Sequence, residues 1–445
     1  MGKNIVLVGG GSSGWSPKLL SDLMLTPAIA DGTYILHDLN QANLDRIARF
    51  GRKLKAKLGV AAAIEAETDP EQALKDADYI LVTISTGGLD AMAHDLAIPE
   101  EYSVYHTVGD TMGPGGWART MRNVPVFEDL ARRINRLAPN AVVLNYTNPM
   151  AQLTKTLSLC TDRPVVGLCH GLFESLAFVQ GILGIENERE IQCTYAGVNH
   201  FFWITSLTVR GEDGFRLLCE KLAGASLPEY IEARAPGHAH CYLADALWNE
   251  TGCFTYMADR HICEFFPQFI TSQRNLEKYH LVRTTIEQRR ENMRRDQANI
   301  DQMIDGEIPD YYATRSRETA ADIINAFVTG SDFIDVGNVP NVGQVANLPL
   351  GAVLETPVLV TRSGFRPITV GPLAEPVRTW VERCARVEDL SVEAAMSGDL
   401  DQALLALSLD PVVSHLDFDQ VTELGLRLLR ANERYLPQFA GKLGG

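Results

Sequence analysis

Ile5-Val6-Leu7-Val8-Gly9-Gly10-Gly11-Ser12-Ser13-Gly14 is the stretch on which the fold turns. Four consecutive apolar residues, three of them β-branched, are too few for a helix. They read as a short strand buried on both faces. The six that follow fit G-x-G-x-x-G, and Ser16 to Leu25 then shows helical spacing. A second strand, Thr33 to His37, ends at Asp38, 24 residues after Gly14. The physics of this arrangement is coherent. Gly9, Gly11 and Gly14 let the backbone turn tightly and approach a pyrophosphate. Ser12, Ser13 and the helix N-terminus offer donors and a positive dipole end. Asp38 is placed to accept bonds from ribose hydroxyls, which favours NAD over NADP. The alternative is a glycine-rich strand–helix turn with no ligand.

Outward from this turn, strand and helix signals alternate. Leu44 to Leu58 reads as a helix, Asp78 to Ile84 as a strand, and Val126 to Leu137 as a helix. Ala141 to Tyr146 and Pro164 to Leu168 read as further buried strands. The alternation predicts an α/β fold, a Rossmann-like doubly wound parallel sheet. After about residue 190 the pattern changes. Val198 to Val209 alternates in part and suggests an antiparallel strand, Thr284 to Ile304 a highly charged helix, Phe333 to Val370 a β-rich patch, and Pro376 to Leu443 a helical end. The expected organisation is a nucleotide-binding domain over 1–190, then an α+β domain over 191–445 for catalysis, substrate binding and oligomerisation.

With 445 residues the chain can bury a large core without disulfides or structural metal. Its 40 Lys+Arg against 56 Asp+Glu leave a net charge of -16, which argues against nucleic acid and anionic membrane surfaces as partners. No apolar run reaches the roughly 18 residues of a spanning helix, and no secretory leader precedes the first strand. The eight cysteines are scattered without a CxxC pair, as expected of thiols in a reducing compartment. The protein is therefore expected to be cytoplasmic, with a small-molecule substrate.

Four clusters carry chemistry. Gly109-Asp110-Thr111-Met112-Gly113-Pro114-Gly115-Gly116 reads as a glycine-dense loop, followed by Arg119 and Arg122. Either it is structural with a capping Asp, or Asp110 is an acid at a pocket mouth and an Arg meets an anion. Asn145-Tyr146-Thr147-Asn148-Pro149-Met150 ends a strand, where ligands of open α/β sheets bind. Asn148 there is a hydroxyl binder or a turn residue before Pro. Cys169-His170-Gly171 ends another strand, and Gly197-Val198-Asn199-His200 lies further on. A thiolate and an imidazole suit a borderline transition metal, yet the 31-residue spacing of Cys169 and His200 favours a buried thiol and a core histidine. Asp259-Arg260-His261 sits in an aromatic run with Phe254, Tyr256, Phe265 and Phe266, where charge must be paired or functional.

Together these residues resemble glycoside hydrolase family 4, the NAD- and metal-dependent glycosidases. The match runs from Gly9 to Gly14 through Val108 to Gly116, Asn145 to Met150, Cys169 to Gly171 and Gly197 to His200, to Asn338 and Asn347-Leu348-Pro349. The resemblance implies metal ligands at Cys169 and His200, a sugar-binding Asn148, an acid at Asp110 and a base at Asp259, with Tyr256 in reserve. Gly10 to Trp15, Asn199 to Thr205 and Asp259-Arg260-His261 look most like the α-galacturonidase branch. Gly171 departs from that branch, which carries Glu there, and looks more like the α-glucosidases and α-glucuronidases.

What the resemblance implies is hydrolysis of α-galacturonides or α-glucuronides with NAD and a divalent metal, Mn first, by oxidation at C3, loss of the C2 proton, elimination, water addition and re-reduction. A uronate carboxylate needs a cation, for which Arg260, Arg119 and Arg122 are candidates, with His170 a further sugar contact. The resemblance also implies a homodimer or homotetramer. The rivals are a neutral α-glucosidase or α-galactosidase, a 6-phosphoglycosidase, an NAD-dependent sugar dehydrogenase, and a non-enzymatic nucleotide sensor.

Overall fold

The computed structural model describes residues 2–443. Thirteen strands join in one sheet: β1 (Asn4–Val8), β2 (Thr33–His37), β3 (Ala63–Glu67), β4 (Tyr79–Val82), β5 (Val142–Asn145), β6 (Val165–Gly167), β7 (Ile191–Val198), β8 (Phe201–Val209), β9 (Glu212–Asp213), β10 (Phe254–Thr255), β11 (Phe333–Pro340), β12 (Val353–Thr361) and β13 (Gly364–Pro367). The first six lie parallel in the order 3-2-1-4-5-6, the nucleotide-binding arrangement expected from the opening motif. Alternation along β1 shows why its apolar run is continuous. Ile5 and Leu7 pack under helices Ser16–Met24 and Gln41–Leu58, while Val6 and Val8 pack under helix Gly113–Leu137 on the other face. Every one of these four side chains is buried.

Beyond β6 the sheet continues without a break but turns antiparallel. β11 pairs with β6 through Asn338 and Gly167, β12 with β11, β7 with β12 through Gly197 and Glu355, and β8 with β7. This is what brings the second half of the chain against the C-terminal ends of β5 and β6. A separate aromatic core, including Phe201, Phe202, Trp203, Phe254 and Phe265, packs the far end.

Three expectations change. Helix 126–137 begins much earlier, at Gly113, so the last part of the glycine-dense loop is its first turn. Close packing demands those glycines: a Cβ at Gly116 would lie 2.4 Å from the Thr111 carbonyl. The single strand 198–209 is instead a hairpin of β7 and β8 with a two-residue turn, Asn199-His200. β3 was invisible because its residues are half-exposed at a sheet edge, without the apolar run of its neighbours. The charged helix is Ile286–Asp305, closed by a Thr285–Gln288 capping box and burying only Ile286 and Ile300. Among the described residues no helix is long and apolar enough to cross a membrane.

Candidate active site

The glycine turn follows β1 as expected. Gly9 has φ +92, and its N–H and that of Gly10 donate to the His37 carbonyl. Asp38 accepts the N–H of Gly11 at 3.1 Å and of Asn40 at 2.9 Å, so its carboxylate is held at the end of β2. A Cβ at Gly11 would stand 2.7 Å from Asp38 Oδ2, so a side chain there would push the carboxylate out of place. At Gly14 a Cβ would meet only Asp296 Oδ2, at 3.8 Å, so packing does not require the third glycine. The Ser13 hydroxyl is buried without a hydrogen-bond partner, an orphan that a phosphate oxygen would satisfy. The donor set fits a dinucleotide.

A second group brings together the loop between helices Gly88–Glu100 and Gly113–Leu137, the β7–β8 turn and the short helix Asp259–Ile262. Candidate ligand atoms of Asp110, His200 and His261 lie within 4.8 Å of one another. His200 occupies the hairpin turn with φ +64, a left-handed conformation uncommon outside glycine. The Thr111 hydroxyl donates to Asp110 Oδ1 at 2.9 Å, so its oxygen accepts from His200 Nδ1, also at 2.9 Å. That assigns the Nδ1–H tautomer and leaves His200 Nε2 with a free lone pair. Burial opposes ionisation of Asp110, but His200, His261, Arg119 and the Thr111 hydroxyl hold its carboxyl below the usual range. Burial, and secondarily the neighbouring imidazole, lowers His261; burial also lowers His200. The arrangement is a buried carboxyl group flanked by two buried imidazoles. It suits a divalent cation.

Cys169, at the end of β6, does not complete such a triangle with two of these residues. Its sulfur accepts the Gly171 N–H at 3.4 Å, and burial pushes its thiol well above the ordinary value. The carboxylate of Glu355 adds to that push, while the Asn199 amide opposes it. Glu355 is fully buried on β12, with Oε2 accepting from Asn199 at 2.9 Å and Asn338 at 3.1 Å. One buried carboxylate thus ties the His200 turn to β11. Burial raises Glu355 to about 7 against those two amides.

Asn148 donates to Asp110 Oδ2 at 3.3 Å, and its own Oδ1 is buried and unpartnered, free to accept a hydroxyl. Arg119 is fixed on the Asn148 carbonyl and the Ser85 hydroxyl. Arg122 is not available to a ligand: it makes a fully buried bidentate pair with Asp95. Asp259 turns away from the histidine cluster. Its two oxygens accept the N–H groups of Leu243 and Ala244, at 2.7 and 2.9 Å, at the start of helix Tyr242–Thr251. Burial raises it to about 7 in spite of these bonds. Tyr256, by contrast, stacks on both His200 and His261 and donates to Glu174 at 2.6 Å. Burial first, then Cys169 and Glu174, pushes its phenol far up. Gly171 lies where a Cβ would meet Phe202 and Tyr256 at 3.3 Å, so the Tyr256 ring fills the space that a side chain at 171 would need.

His170 lines an adjoining cleft of about 690 Å³ with Gly14, Trp15, Glu174 and Glu318, its ring 6.1 Å from that of Trp15. Arg260 reaches the Thr284 hydroxyl at 2.9 Å, and Arg289 bonds the Val108 carbonyl at 2.9 Å and the Thr284 carbonyl at 3.4 Å. Sequence reasoning missed Arg289, Glu264, Glu355 and the role of His261. Each comes from an element remote in sequence, and no spacing announced it.

Residues 4–185 match the family described as Family 4 glycosyl hydrolase, and residues 195–413 its C-terminal domain. An α-galacturonidase of Bacillus subtilis (strain 168) is 31% identical over 426 residues, covering 92% of this chain and 93% of that protein. The crystal structure of lplD from Bacillus subtilis superposes with a TM-score of 0.87 at 28% identity, over 96% of this chain and 100% of the other. A 6-phospho-alpha-glucosidase from gut microorganisms, solved with NAD and Mn2+, shares the fold with a TM-score of 0.82 at 22% identity, over 98% and 99% of the two chains. With both family regions matched in order along most of its length, the chain belongs to family 4 of the glycosyl hydrolases.

Proposed function

We propose that this protein hydrolyses α-hexuronides, α-galacturonides or α-glucuronides, with NAD and a divalent cation such as Mn(II). The observation that carries the uronide reading is the Arg260–Arg289 pair. The two guanidinium groups converge on Thr284, each repels the other's charge, and neither forms an ion pair among the described residues. Arg289 also lies near Asp110 and so beside the cluster. Two unpaired cations at a sugar site suit a carboxylate on the substrate.

Gly9, Gly11, Ser12, Ser13 and Gly14 would hold the dinucleotide, with Asp38 placed for the ribose hydroxyls. The chemistry it would supply when bound is reversible hydride transfer at the sugar C3, with no net oxidation. Cys169 and His200, as the resemblance implies, would hold the cation, whose chemistry there would be Lewis-acid polarisation of the sugar oxygens. Asn148 Oδ1 accepts a sugar hydroxyl while its amide stays on Asp110. Tyr256 takes the C2 proton and passes its own phenolic proton to Glu174, to which it is already bonded. Asp259, saturated by backbone donors, holds the segment that carries Arg260 and His261. His170 borders the sugar from the side of the glycine turn.

The test is a panel of nitrophenyl α-galacturonide, α-glucuronide, α-galactoside and α-glucoside with NAD+, Mn(II) and a thiol reductant. Uronides should be turned over and the neutral glycosides hardly at all, with no accumulation of NADH. Equal or faster turnover of the neutral glycosides overturns the uronide reading. Stoichiometric NADH from free sugar would instead make the protein a dehydrogenase.

A further inference from the structure

We infer that His261 and Asp110 are donors to the divalent cation, alongside His200. The family resemblance carries a ligand role only to Cys169 and His200; the two added donors come from the geometry. Asp110, His200 and His261 bring two imidazole nitrogens and a carboxylate oxygen within 4.8 Å of one another. That N,N,O set is the kind that binds Mn(II), Fe(II) or Co(II) with positions left open. Three further observations point the same way. The Thr111 hydroxyl bridges Asp110 Oδ1 and His200 Nδ1, which orients both groups from behind as outer-shell partners do. The rings of His200 and His261 stand 4.4 Å apart between centroids, while His261 has no hydrogen-bond partner among the described residues for either nitrogen. Its backbone is nevertheless tightly placed, because Asp259 at the start of the same short helix is anchored on Leu243 and Ala244. The triplet thus divides its work: Asp259 anchors, Arg260 faces Thr284, and His261 faces the cation.

This assignment does not depend on which sugar is cleaved. Metal-stripped full-length protein, saturated with NAD+, is titrated with Mn(II) while free Mn(II) is read by electron paramagnetic resonance. His261→Gln should weaken Mn(II) binding by about tenfold or more, the scale seen when a metal site loses a supporting group. Melting temperature and NAD+ affinity serve as controls for folding. Unchanged Mn(II) affinity in a folded His261→Gln protein overturns the inference, and so does unchanged affinity with loss of C2–H exchange, which would make His261 a base. Pulsed resonance on the wild-type protein with 15N-labelled histidine is independent of any variant. Two coordinated imidazoles support the inference and one overturns it. Failure of the wild type to bind Mn(II) overturns the metal part of the proposed function as well, whereas two imidazoles with preference for neutral glycosides overturns only the uronide reading.

Discussion

The buried carboxylate of Glu264 takes the N–H of Gly109 on both its oxygens, at 2.9 and 3.1 Å. Oε1 also accepts the N–H groups of Thr107 and Val108, each at 2.8 Å, and His106 Nδ1 at 3.1 Å. One side chain therefore organises the segment that delivers Asp110. His106 extends the clasp, accepting the Gly115 N–H on its other nitrogen.

Glu264→Gln keeps the shape but replaces one carboxylate oxygen by a donor that faces N–H groups. We expect a folded protein with a lower melting temperature and Mn(II) affinity reduced on the order of tenfold, through displacement of Asp110. Glu264→Asp, too short to reach, should be worse. Unaltered Mn(II) affinity in Glu264→Gln would show that the clasp does not position Asp110.

Asp259 and Tyr256 are separated by their hydrogen bonds. Asp259→Asn should cost about 1–3 kcal/mol of stability, because one of the two acceptor oxygens becomes an amide donor that faces a buried N–H. It should retain solvent exchange at the substrate C2–H, followed by NMR in deuterium oxide. Tyr256→Phe should keep its fold and lose on the order of 10²-fold or more in turnover, together with that exchange. Exchange lost in Asp259→Asn and kept in Tyr256→Phe would return the base role to Asp259.

Glu355 makes a prediction about pH. Its folded pKa, about 7, lies above the ordinary carboxyl value, so the folded state binds the proton more tightly than the unfolded state. Its contribution to stability is full at low pH and falls as pH rises from about 4.5 to 7. Glu355→Gln should therefore gain on the wild type in melting temperature across that window. A constant difference between the two proteins from pH 5 to 8 would mean that Glu355 does not titrate there.

At the glycine turn, Gly11→Ala places a methyl 2.7 Å from Asp38 Oδ2. NAD+ binding should weaken by about tenfold, or ~1.4 kcal/mol, measured by calorimetry on the metal-free protein. Gly14→Ala, with open space around its Cβ, should bind NAD+ nearly as well as the wild type.

Arg122 tests the buried pair with Asp95. Arg122→Ala leaves a carboxylate uncompensated in the core and should cost about 3–5 kcal/mol in unfolding experiments. Uronide selectivity should not change, because this guanidinium meets no ligand.

The parallel half of the fold was legible in the sequence because its signals are local. An apolar run such as Ile5 to Val8 can only be satisfied by burial on both faces, and the turn from Gly9 to Gly14 follows from backbone geometry alone. Asp38 and Asn148 could be singled out for a related reason, since each follows a strand whose apolar run the chain itself declares; His200 was singled out only by the resemblance, because its hairpin turn was read as the inside of a strand. The expectation for Arg122 failed because helical spacing says which residues share a face but not what that face packs on. What only the tertiary structure decided is which distant side chains converge. Glu264, Arg289 and Glu355 stand 155, 180 and 155 residues from Gly109, Gly109 and His200; Glu355 meets the site through the antiparallel continuation of the sheet, and Glu264 and Arg289 through the short turn Cys263–Phe265 and the helix Ile286–Asp305 that lie against the loop before Asp110. Local sequence sets backbone propensity and periodicity; long-range pairing sets which charges are neighbours, and the chemistry of this site resides in the neighbours.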